Sequence, residues 1–136
     1  MVGSCPTERP MQVEEPSALA LSLLQEIRHA LGRLIAQREE TRIELQALLL
    51  GPAEIQMLES VLGRGEVEAR VEALGPTLVC ETAIPGVWWL SHQDTEGRVL
   101  SRQIEVAAVP AILQPSPDDL AESLARLDNR LHAYRA

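Results

Sequence analysis

The chain has 136 residues, with 20 Asp or Glu against 12 Arg, no Lys, and a formal net charge of -8. That size suits one domain, and an acidic chain whose arginines are evenly spread lacks the basic patch that nucleic-acid binding needs. A hydrophobic share of 46% with 24% charged residues is a globular balance, and no apolar run approaches the roughly 20 residues of a membrane-spanning helix.

Residues 1–16 carry Pro6, Pro10, Pro16, Glu8, Glu14 and Glu15 and read as a flexible lead-in to a single domain over 17–136. The lead-in has neither the basic start nor the apolar stretch of a signal peptide, which predicts a cytoplasmic protein. Cys5 and Cys80 do not make a disulfide framework. From Ser17, a helix cap, Ala20, Leu24, Ile27, Leu31 and Leu34 recur at spacings of four and three, so a helix is expected to about residues 37–40. Leu19, Leu23, Ala30 and Ile35 widen its apolar stripe. The stripe serves either to cover a core or to pair with a second chain.

Thr41 to Leu45 alternates like a short edge strand. Gly51-Pro52 then opens a short helix over Ala53 to Leu62, with Ile55, Leu58, Val61 and Leu62 inward and Gly63 as its stop. Glu66, Glu68, Arg70 and Glu72 alternate with Val67, Ala69, Val71 and Ala73, a strand with one wet and one dry face. After the Gly75-Pro76 turn, Thr77 to Ile84 is a second strand, with Leu78, Cys80, Thr82 and Ile84 on one side. Pro85-Gly86 turns or kinks the chain. Val87 to Gln93 is a third strand, Asp94 to Gly97 a hairpin loop, and Val99 to Val109 a fourth strand with Leu100, Ile104, Val106 and Ala108 on one face. Ser116-Pro117-Asp118-Asp119 starts a last helix; its Leu120, Leu124, Leu127 and Leu131 are expected to form a buried stripe. Helices grouped beside an antiparallel sheet of three to four strands, plus the short edge strand, mean an α+β fold.

Little in this chain has the spacing of chemistry. Cys80, Glu81 and His92 could act as nucleophile, acid and base only if folding brought them together, and Cys80 falls on the apolar side of its strand. Cys5, Cys80, His29, His92 and His132 lack the short spacings of compact zinc or iron–sulfur sites, so no metal is expected. Glu66, Glu68 and Glu72 read as a solvated strand face. Gly63-Arg64-Gly65-Glu66 joins a helix to a strand and lacks a third glycine, so it is a tight connection rather than a phosphate cradle. Trp88-Trp89 is more informative. Neighbours in a strand point to opposite faces, so one indole anchors the core. The other either stands on an open sheet face as a binding anchor or lies under one of the chain's own helices.

Leu62-Gly63-Arg64-Gly65-Glu66-Val67, then Glu81-Thr82-Ala83-Ile84-Pro85-Gly86-Val87-Trp88, then Ile104-Glu105-Val106-Ala107-Ala108-Val109-Pro110 follow one another in this order. This ordered set over about residues 41–113 resembles the C-terminal region of the HupH/HyaF family of hydrogenase expression proteins. The resemblance implies an accessory, chaperone-like role in maturing an uptake [NiFe] hydrogenase, with no enzymatic activity and no cofactor. The implied partner is the iron–sulfur small-subunit precursor, held before twin-arginine export, together with other hydrogenase accessory proteins. An oligomerising scaffold of the maturation complex that does not touch the client is the alternative. Gly65, Glu66, Glu81, Gly86, Val87 and Trp88, with Trp89 beside them, are the motif positions expected to serve fold or contact. Longer members of the family carry related regions in tandem whereas this chain has one, which makes a homodimer through the first helix an expectation.

Overall fold

A computed structural model describes residues 5–6, 17–72 and 75–135. Most of the expected lead-in, and Ala73 of the expected strand, lie outside the described residues. Three helices, α1 (Ala18–Gln37), α2 (Pro52–Leu62) and α3 (Pro117–His132), accompany five strands, β1 (Thr41–Glu44), β2 (Glu68–Glu72), β3 (Pro76–Glu81), β4 (Val87–Gln93) and β5 (Val99–Val106). The strands form one antiparallel sheet in the order β1-β5-β4-β3-β2. The fold is α+β, with five strands rather than three to four: the short edge strand is a full member, paired along its length with β5 from Thr41↔Val106 to Glu44↔Gln103.

Ser17 Oγ accepts the Ala20 N–H at 3.2 Å and starts α1; Arg38, with φ 55, ends it. The buried positions Ala20, Leu23, Ile27 and Ala30 are spaced three, four and three, a stripe one position off the expected centre. Leu24, Leu31 and Leu34 lie half-buried beside it, while Leu19 and Ile35 are exposed. The α1 stripe is therefore spent on the chain's own core. α2 starts on Pro52, whose missing N–H costs nothing at the first helical position. It buries Met57, Leu58 and Leu62 but leaves Val61 exposed. With α1 it covers one face of the sheet, where Leu58, Leu78, Val87, Trp89, Ile104 and Val106 meet.

The opposite face has a smaller cluster of Val79, Trp88 and Leu90, with Ala69 and Leu113 packed on it. β5 ends at Val106, three residues before the expected Val109, because the chain leaves the sheet there and runs as a strap to a 3-10 turn at Ala111–Leu113. β3 likewise stops at Glu81. A register irregularity at His92/Gln93 brings β4 into the 94–98 turn. There Asp94 Oδ1 accepts the N–H groups of Glu96 and Arg98 at 2.8 and 2.9 Å.

α3 departs furthest from expectation. Ser116 and Asp119 form a reciprocal capping box, as the sequence signals, but Leu120, Leu124, Leu127 and Leu131 are all exposed, and α3 packs beside neither the sheet nor the other helices. Its expected buried stripe is an exposed one.

Two measurements check this account. Ile104→Ala removes a fully buried side chain and is expected to cost about 2–5 kcal/mol, whereas Leu124→Ala in dilute protein should change stability by less than about 0.5 kcal/mol; urea unfolding compares them. The amide of Arg98 holds the Asp94 carboxyl below the usual aspartate range, with the Glu96 amide and the Arg98 charge adding to it. The stabilisation it gives the turn is thus full above the unfolded aspartate pKa and lost as pH falls through the lowered folded value. A carbon-13 titration of Asp94 should show a midpoint below that of an aspartate in an unfolded peptide.

Candidate contact surface

The motif residues converge on one end of the sheet. Gly65 donates its N–H to Glu81 O at 2.8 Å, and Glu66 donates to the Glu81 carboxylate at 3.0 Å. A β-carbon on Gly65 would stand 2.4 Å from Thr82 O and 2.7 Å from Glu81 Oε1, so this position has no room for a side chain. Next in the chain, Thr82 is 1% exposed. Its hydroxyl lies 2.9 Å from Val87 O and accepts the Ile84 N–H at 3.1 Å, while the Val87 N–H closes the turn onto Ile84 O. Gly86 sits at φ 95, a left-handed value that glycine adopts without penalty. Its carbonyl accepts the Ala107 N–H at 2.9 Å.

Trp88 and Trp89 are both 5% exposed. Of the two alternatives for the second indole, the open face is ruled out: Trp89 lies in the cluster under the helices, and Trp88 lies in the opposite cluster with Leu113 packed on that cluster. The Trp88 indole N–H donates to Ala107 O at 3.0 Å, so it is the strap after β5, rather than a helix, that this indole fastens. Glu105, 2% exposed, accepts the Ala111 N–H at 2.8 Å and faces Arg42 Nε at 3.3 Å. Sequence reasoning missed Glu105 and the strap; the one available signal was an acid inside a run of Ile, Val and Ala.

The folded positions give no enzyme-like grouping of Cys80, Glu81 and His92. Cys80 is in the core under the helices and is bonded to Cys5, with Cα atoms 5.7 Å apart. That bond corrects the reading of two unlinked cysteines, and the separation is ordinary for a disulfide. Glu81 clamps the Gly65 loop, and His92 Nδ1 is 2.8 Å from Thr77 Oγ1 on the sheet face away from Cys80. Among the described residues no group of three or more His, Cys, Asp or Glu is placed to hold a metal, and no helix is long and apolar enough to cross a membrane. A cleft lined by Cys5, Pro6, Ile55, Leu78, Trp89 and Arg102 lies beside α2.

What the corner presents outward is an apolar rim. Ile84 and Val109 are 39% and 46% exposed, and Ala83, Pro85 and Ala108 are exposed beside them. Ala83 is tied to Leu62, next to the exposed Val61. Glu66 stands exposed at the same end. Rigid hydrogen-bonded backbone under an apolar rim suits contact with another macromolecule.

The geometry thus defines a small α+β fold with an apolar rim at one end of its sheet. Residues 18–134 match the family described as HupH hydrogenase expression protein, C-terminal conserved region, and the chain belongs to that family. It is similar to the hydrogenase expression/formation protein HoxQ of Azotobacter vinelandii, 35% identical over 117 residues, which cover 79% of this chain and 38% of that protein. The hydrogenase-1 operon protein HyaF of Escherichia coli K12 is 28% identical over 85 residues, covering 62% of this chain and 30% of that protein. The chain therefore spans well under half the length of these relatives. Among solved structures, the hydrogenase expression protein HupH from Thiobacillus denitrificans superposes with a TM-score of 0.81 at 39% identity, over 86% of this chain and 98% of that one.

Two glycines test the corner. Gly65→Ala should cost at least about 2 kcal/mol, because the new methyl meets backbone oxygen. Gly32→Ala, inside α1 with nothing within 4 Å of the added carbon, should gain roughly 0.5–1 kcal/mol. Thermal melts of the two variants should move in opposite directions.

Proposed function

We propose that this chain is a chaperone-like accessory protein of [NiFe] hydrogenase maturation that binds the iron–sulfur small-subunit precursor before twin-arginine export. The observation that carries the reading is the family match over 18–134, whose relatives are named as hydrogenase expression/formation proteins. In this reading the rim of Ile84, Pro85 and Val109 supplies the apolar contact. Gly65, Glu66, Glu81, Gly86, Val87, Trp88 and Trp89 hold that rim in place, so the motif serves contact through shape. The net charge of -8 adds a field that attracts a basic export segment. The role asks for no catalysis and no cofactor. Residence in the cytoplasm belongs to the same proposal; the Cys5–Cys80 bond is unusual for that compartment.

A scaffold of the maturation complex that leaves the client untouched is the second reading, and the exposed leucines of α3 favour it. Calorimetry with the purified small-subunit precursor separates the two. The client reading expects a stoichiometric complex that Ile84→Glu with Val109→Glu weakens roughly tenfold or more without lowering the melting temperature. Absence of binding to the precursor, with capture of other accessory proteins from cells induced for hydrogenase, would put the scaffold first.

A further inference from the structure

We infer that α3 is a self-pairing element: its leucine seam docks antiparallel on α3 of a second copy of this chain. The inference is independent of which client the corner binds. Leu120, Leu124, Leu127 and Leu131 follow one another at four, three and four residues, the spacing of a two-helix seam, and they are 57%, 66%, 56% and 45% exposed. The capping box closes the helix at its start, yet a 16-residue helix is marginal in water without a packed face. Nothing within the described body supplies that face.

The charges select the occupant. The first half of α3 holds Asp118, Asp119 and Glu122 and no base; the second half and the residues after it hold Arg126, Arg130 and Arg135 with one acid, Asp128. Among the described residues none of these groups forms an ion pair. A parallel pair would set acidic half beside acidic half, align the two helix dipoles, and bring Arg130 against Arg135 of the second copy. An antiparallel pair centred between Leu124 and Leu127 avoids all three conflicts. It sets Leu120 over Leu131 and Leu124 over Leu127 of the second copy. Beside the seam, Ser123 then faces Arg130 and Ala121 faces Asp128, so no like charges meet there. Four half-exposed leucines per copy offer on the order of 100 Å² each. The seam thus sits below the size of a standard stable interface, and the dimer should dissociate reversibly at micromolar concentrations.

Sedimentation equilibrium of the full chain over a concentration series tests this. The wild type should pass from monomer to dimer, and Leu124→Glu or Leu127→Glu should raise the dimer dissociation constant by roughly tenfold or more. The helical and Trp signals of dilute protein should be unaltered by either change. Position 123 reads the orientation. In the antiparallel pair, Ser123→Glu meets Arg130 and should tighten the dimer about two- to threefold, whereas Ser123→Arg should loosen it. In a parallel pair, Ser123 faces Asp128 and both signs reverse. A chain that stays monomeric throughout, or a dimer indifferent to Leu124→Glu, overturns the inference; reversed signs at position 123 overturn the antiparallel arrangement.

Discussion

The structure depends on β4 being buried on both faces. Trp88 and Trp89 are adjacent in an extended strand, so their indoles must diverge to opposite sides of the sheet, and both are 5% exposed. Two covers are therefore required from a short chain. α1 and α2 supply one, over Trp89, Leu78 and Ile104. The strap after β5 contributes to the other, with Leu113 packed on the cluster that holds Trp88 and Pro110 fully buried. Apolar attraction alone would let a strap slide, since it is non-directional. The indole N–H of Trp88 on Ala107 O and the Glu105 carboxylate on the Ala111 N–H give it a register. Burying Glu105 is tolerable because one oxygen takes that amide while Arg42 faces the other. One carboxylate thereby joins β5, the strap and the edge strand β1.

The corner at the β3–β4 end extends the same logic. Gly65 fits against Thr82 and Glu81 because it has no side chain, Thr82 satisfies its buried hydroxyl within its own turn, and Gly86 takes the positive φ that turn needs. The Thr82 hydroxyl and the Gly65, Ile84 and Val87 amides are paired locally, which leaves Ile84, Pro85 and Val109 to form the outer rim. Trp88 bears on that rim from beneath, because its hold on Ala107 fixes where Ala108 and Val109 emerge. A side chain can thus govern a contact surface without being part of it.

This division explains which features were legible in the sequence. β4 was legible end to end, since a tight turn signal bounds it on either side, and Ser116 with Asp119 announced the start of α3. Period-two alternation located β2 but overran β5, because Ala107, Ala108 and Val109 continue the apolar run after the chain has left the sheet. Cys5 and Cys80 are 75 residues apart, and no local pattern encodes that meeting. The partners of Trp88 and Glu105 were hidden for a related reason: a covered sheet face is decided by the segment from Ala107 to Pro115, whose sequence shows neither helical nor strand periodicity. The leucine stripe of α3 exposes the limit of periodicity. It identifies the apolar side of a helix and carries no information about what lies against it.

That limit bears on how the two surfaces could act together. The corner is rigid because its hydrogen bonds close within the body, whereas α3 owes that body no packing and keeps its apolar side available for association. The two are separate along the chain: the corner is built from residues 61–67, 81–87 and 107–109, and α3 begins only after Ser116. Occupying one would not consume the other. Two chains joined through α3 would tether a pair of corners within reach of one another. A client or accessory protein that engaged one corner would then meet the second at high effective concentration. Weak individual rims, each offering only a few half-exposed apolar side chains, would in this way retain a partner that neither could hold alone.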